Sequence, residues 1–182
     1  MTQSLTRPRA TVAPRARSRK LPPRWRKVAL TVHVAVSVGW LGAAFMMVVL
    51  GVTALRTGDP AVRHAAYLAG HLGDRAVMIP FSLLALLSGL LSSLGTPWGL
   101  IKHYWVMTKL VLTVAVMVFA AFYLSQWAEQ AGAAPVGTAP GVLGRQVVIG
   151  AAATFSVLLL NTTLSVFKPW GRTRRGAGRG RR

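Results

Sequence analysis

Three polar side chains interrupt long apolar runs in this sequence: His33, Lys109 and Asn161. Helical spacing groups them with aromatic neighbours. His33, Ser37, Trp40 and Ala44 share one face of a helix, and Lys102, Trp105, Lys109 and Thr113 share a face of another. If both faces point inward, an imidazole and an amine flank an internal cavity. An imidazole nitrogen is a good ligand for haem iron, and a lysine amine kept neutral by desolvation can be the opposite ligand.

Counting along each apolar run from the end nearest the chain termini, His33, Lys109 and Asn161 each lie about six residues in, or roughly 9 Å deep at about 1.5 Å per residue. Ser88-Gly89 falls at the same level on a fourth run, and Gly89 would leave space beside the others. The same residues also have a structural reading. Helix side chains tilt toward the N-terminus, so Lys109 could snorkel to the inner headgroups, His33 could bond within the bundle, and Asn161 would be interhelical glue. Gly39, Gly42 and Ala43 read as close-packing positions. His64 and His71, seven apart, could share a face, but a metal site would want more ligands at i, i+3 or i+4 spacing, so both read as interfacial polar residues. Asp74 is the one acidic residue beside the outer end of an apolar run, and an ion pair with Arg75 or Arg145 is its expected role.

The elements that must position these groups follow from composition. The 182-residue chain is 53% hydrophobic and carries three acidic side chains against 22 Lys and Arg, which fits neither a soluble domain nor a disordered one. A spanning helix needs roughly 20 mostly apolar residues. Four stretches qualify, about Lys27–Val52, Val77–Leu94, His103–Trp127 and Leu143–Phe167, and predict an all-α, four-helix transmembrane bundle over 26–168. Cysteine is absent, which excludes disulfides, thiolate metal sites, iron–sulfur clusters and covalently attached c-type haem. No Walker, Rossmann or zinc-protease motif occurs. The first apolar run is too long for a signal peptide and reads as a retained anchor.

The net charge of +19 is concentrated at the ends: nine Lys and Arg precede the first helix and seven follow the last, while the two long loops are nearly neutral. The positive-inside rule puts both termini in the cytoplasm, which requires an even number of spans. The tails, 1–25 and 169–182, contain almost nothing apolar to bury and read as disordered segments that adhere to anionic lipid; nucleic acid is the less favoured partner. Ala61–Leu72 is short and amphipathic, and either lies at the outer interface or extends the second helix. Trp98, Lys102, His103, Tyr104 and Trp105 mark an inner interface belt. The segment Glu129–Gly141 reads as a connector.

Two resemblances follow from these residues. The run from His33 through Trp40 to Gly42, with Pro97-Trp98-Gly99-Leu100 and His103-Tyr104-Trp105 through Lys109-Leu110, resembles an uncharacterised family of small bacterial four-helix membrane proteins, which implies the fold and a bacterial plasma membrane. A His, six residues and a Trp in the first helix, with a Trp, three residues and Lys-Leu in the third, is similar to the four-helix haem-binding protoporphyrinogen IX oxidases. Those enzymes depend on that His and that Lys, which correspond here to His33 and Lys109. The leading expectation is a haem b redox protein taking electrons from a hydrophobic small-molecule reductant, with His33 and Lys109 at the iron and Trp40, Trp105 and Asn161 around the macrocycle. A non-enzymatic scaffold or partner subunit is the alternative. A copper-handling transporter is the third, although Met46, Met47, Met78, Met107 and Met117 trace no clear copper path.

Overall fold

A computed structural model describes residues 22–94 and 103–167, and nearly all of them are helical. Four continuous helices result: α1 (Pro23–Arg56), α2 (Pro60–Leu94), α3 (Tyr104–Ala133) and α4 (Gly141–Phe167). All four are long and apolar enough to cross a membrane. Residues 1–21 and 168–182 of the basic ends, Lys102 and the Trp98 end of the interface belt lie outside the described residues, and residues 23–25, expected in the disordered tail, begin α1.

Local signals set the boundaries. Pro23 occupies the first turn of α1, where a missing N–H is harmless. At the other end, the Asp59 carboxylate accepts from the Ala61 N–H at 2.8 Å and caps α2, with Pro60 in the first turn. The helices run past the expected limits of 27–52, 77–94, 103–127 and 143–167. The amphipathic stretch Ala61–Leu72 is an extension of α2, joined to the apolar part through a π-helical turn at Asp74–Met78. A second π-turn, Ala120–Leu124, lets α3 continue to Ala133, so Glu129 is helical and the connector is only 134–140. A π-turn inserts a residue without breaking the helix and re-aims the side chains beyond it.

The helices alternate in direction. His33 of α1 meets Ser88 near the end of α2, and Lys109 near the start of α3 meets Ser165 near the end of α4. These contacts define the terminal end of the bundle; the α1–α2 and α3–α4 connections define the loop end. Two cores are stacked along the axis. Trp40, Ala44, Met78, Ala85, Val116 and Leu158 form the one nearer the termini. Ala54, Ala66, Tyr67, Ala131 and Val147 form the one at the loop end. Between α2 and α3 the packing is uneven: their loop-end halves lie together along their length, while their terminal-end halves barely touch.

At about 1.5 Å per residue, α1 (34 residues) and α2 (35 residues) reach roughly 50 Å, well over the ~30 Å hydrocarbon thickness. Apolar side chains such as Leu83, Leu87, Leu91, Val111 and Val118 are exposed along α2 and α3. In water such a surface would drive association; in lipid it is the solvated face. Gly39 fulfils its expected role, because a Cβ there would come within 2.5 Å of the Phe81 ring. Gly42 does not: it is exposed, with nothing within 4 Å of a Cβ.

Candidate functional site

His33 sits ten residues into α1, half-buried against α2. Its Nδ1 lies 3.1 Å from Ser88 Oγ, and the Ser88 hydroxyl donates to the Leu84 carbonyl one turn back. A hydroxyl has one proton to give. With that proton committed to Leu84, Ser88 Oγ accepts from Nδ1–H, the tautomer that puts the ring's lone pair on Nε2. The expected space at Gly89 is filled by the imidazole itself: a Cβ on Gly89 would stand 3.0 Å from His33 Cε1 and 3.4 Å from Nδ1.

Lys109 and Thr113, one turn apart on α3, face α4 together. The Lys109 ammonium donates to Ser165 Oγ, which passes its own proton to the Asn161 carbonyl at 3.0 Å. Asn161 is buried, and its Nδ2 donates to Thr113 Oγ1 at 3.0 Å. Its Oδ1 is buried with no partner. Two rungs thus tie α3 to α4, while one bond ties α1 to α2. Among the described residues α1 and α3 make no extensive packing contact.

His33 thus sits with Ser88 and Gly89 between α1 and α2, and Lys109, Thr113, Asn161 and Ser165 sit between α3 and α4, both sets near the terminal end of the bundle. Trp40 lies two turns farther along α1, 4% exposed inside the packed core, with its indole N–H unpartnered. Trp105, half-buried one turn before Lys109, has its ring 6.4 Å from that of His103. The donor set fits haem iron: an imidazole held through Nδ1 by a hydrogen-bonding partner, as in metal-ligating histidines, and a primary amine on α3.

At the loop end the expected pairings change. Asp74 is buried and makes no ion pair with Arg75 or Arg145; it accepts from Ser125 Oγ at 2.7 Å, a bond between the two π-turn regions. Arg75 turns outward to Glu129 at 2.9 Å, both side chains more than half exposed. The reason is the π-turn, which rotates Asp74 inward and leaves Arg75 on the surface. His64 and His71 both lie along the seam with α3, as their spacing allowed. The His64 Nδ1 is 3.1 Å from the Ala134 carbonyl, and His71 packs where Gly132 lacks a side chain. Among the described residues no three His, Asp or Glu side chains converge as a metal site.

Sequence reasoning missed Ser125 and Tyr67. Ser125 had no flanking signal, and Tyr67 read as part of an interfacial segment. No protein-family description, curated protein or solved structure matches this chain.

Proposed function

We propose that this chain is a multi-pass protein of a bacterial plasma membrane, with both basic tails in the cytoplasm, that binds haem b between α1 and α3 and passes electrons from a hydrophobic reductant to an acceptor. The orientation rests on the nine and seven basic residues at the two ends against nearly neutral loops. The single observation that carries the site is His33, whose Nδ1–H is held by Ser88 so that the ring's lone pair falls on Nε2, the nitrogen that would bind a metal.

His33 and Lys109 would hold the iron, with Trp105 and Asn161 beside the macrocycle and Trp40 bracing α1 from the core. When bound, the haem supplies one-electron redox chemistry. His33 is presented in one tautomer by Ser88. Lys109 is oriented by Ser165; as a neutral amine it would be the second ligand, and as an ammonium it would instead be the proton donor beside a haem held by His33. The lipid-exposed seam where α2 and α3 diverge gives a hydrophobic reductant lateral access to the terminal end of the bundle.

A structural reading is favoured by a different observation: Lys109–Ser165 and Asn161–Thr113 are complete cross-helix bonds that fasten α3 to α4 without a ligand. An absorption spectrum of the detergent-purified protein, oxidised and then reduced, separates the two. A Soret band and a reduced α-band that weaken in His33→Ala and in Lys109→Ala support the haem reading. A colourless protein after expression with added haem precursor overturns it and leaves the scaffold.

A further inference from the structure

Asp74 is the one acidic side chain buried among the described residues, 5% exposed. Ser125 Oγ serves its Oδ2, and Oδ1 makes no hydrogen bond. A cavity of about 30 Å³ lies against it, walled by Tyr67, Gly70 and Met78 of α2 and by uncharged residues of the other helices. That volume holds about one or two water molecules. Two polar atoms nearby are buried without partners, Tyr67 Oη and His71 Nδ1. A buried phenol is normally hydrogen-bonded; the Tyr67 hydroxyl instead lies against Gly144, on the side of the connector, while other atoms of Tyr67 line the small cavity.

Tyr67 also lines a second, larger cavity of about 220 Å³, between the start of α2 and the 134–140 connector, with Arg63 and His64 on its wall. Arg63 bonds the carbonyls of Ala54, Thr57 and Thr138 and so pins the connector over this pocket. Tyr67 is therefore the partition between an outer pocket at the loop end and the small cavity at Asp74. Toward the termini the route is closed by the packed side chains of Met78, Trp40, Ala85, Val116 and Leu158.

We propose that Asp74 is a proton-binding site served from the loop end of the bundle, by water that passes the Tyr67 hydroxyl between the outer pocket and the buried cavity. Uptake forms one O–H bond on Asp74 Oδ1 and breaks one in a hydronium ion, whose water stays in the cavity. The carboxylate becomes neutral and no electron moves. Ser125 from α3 bonds it, Tyr67 and His71 from α2 are the titratable groups on its side of the bundle, and Arg75 is turned outward with Glu129; α1 and α4 add no titratable side chain to the cavity wall. The site is independent of the haem reading, and each can fail without the other.

Infrared difference spectroscopy of the full-length protein in liposomes tests it. The chain has only three acidic side chains, so carboxyl bands are few. A protonated-carboxyl band that responds to pH between about 4 and 9, the range over which protein carboxyl groups titrate, and vanishes in Asp74→Asn is expected. Ser125→Ala, which keeps the carboxyl and removes its donor, should shift the band's frequency and guards against misfolding of the Asn variant. After a pH step outside the liposomes only, the responding fraction should equal the fraction of molecules with the loop end outward. Tyr67→Phe should slow the response roughly five- to tenfold, the effect of one lost hydrogen bond. A pH-insensitive Asp74, a response that follows the opposite orientation, an unchanged rate in Tyr67→Phe, or a band set by sodium at fixed pH would each overturn the proposal.

Discussion

Replacing Ser88 with alanine removes the hydroxyl that holds His33 and nothing else of comparable size. The Leu84 carbonyl keeps its helical partner, so the change strands one donor, Nδ1–H of a half-buried imidazole. An unsatisfied buried polar group costs about 1–3 kcal/mol, and the half-burial of His33 places this case near the lower end. Alanine returns a few tenths of a kcal/mol in helix propensity. The net expectation is a loss of about 1 kcal/mol, in line with the average of roughly 0.6 and maximum near 1.7 measured for interhelical bonds in a membrane protein. The assay is a double-mutant cycle of Ser88→Ala and His33→Phe, read from unfolding midpoints in mixed detergent. A coupling of about 0.5–1 kcal/mol is expected. Coupling indistinguishable from zero would refute the argument that Ser88 fixes the imidazole, and with it the tautomer that puts the lone pair on Nε2. If haem binds, the same Ser88→Ala change should weaken its affinity by roughly 10–100-fold, as loss of a hydrogen-bonding partner behind a ligating histidine does.

Glycine substitutions discriminate between crowded and open positions. Gly144→Ala sets a Cβ 2.5 Å from Tyr67 Oη and 2.7 Å from Pro140 Cβ; thermal unfolding should show about 1–3 kcal/mol of destabilisation, the usual cost of overpacking. Gly42→Ala meets nothing within 4 Å and should stabilise α1 by up to about 1 kcal/mol, the propensity difference; a melting temperature that falls would contradict its placement on the open face. Removing the exposed Arg75–Glu129 pair by a double alanine substitution should cost about 0–1 kcal/mol, and less in high salt. A larger, salt-insensitive loss would mean that the pair is shielded from solvent.

Much of this arrangement was legible in the residues, and the misreadings share a physical cause. The four apolar runs gave the spans because length and hydropathy alone decide whether a helix suits a bilayer. Gly89 gave room to the His33 ring as its missing side chain suggested. Depth could not say which helix His33, Lys109 or Asn161 would bond. That depends on rotation about the axis, and the structure splits the set into a pair on α1–α2 and two rungs on α3–α4. The errors concentrate at the loop end. A π-turn leaves no composition signal, so the sequence left Ala61–Leu72 open between an interfacial segment and an extension of the second helix, and the structure shows the extension, through the turn at Asp74–Met78. The residue inserted there reversed the roles of neighbours, turning Asp74 inward and Arg75 outward.

The π-turns also explain why the bundle carries polar groups at two separated levels. Asp74 and Ser88 are 14 residues apart on α2, roughly 21 Å along the axis. Between them, in and around the core of Trp40, Ala44, Met78, Ala85, Val116 and Leu158, the Trp40 indole nitrogen and Thr154 Oγ1 are buried without a partner. Groups this far apart with no shared partner contribute independently. The α2–α3 seam follows the same division: tight at the loop end, where Asp74–Ser125 and Arg75–Glu129 join the helices, and slack where His33 and Lys109 bond to other neighbours. A tight loop end can hold α2 and α3 together while their terminal-end halves, each bonded to another helix, stay apart. That separation is what a ligand between α1 and α3, or a reductant entering between α2 and α3, requires, and it asks nothing of the Asp74 level.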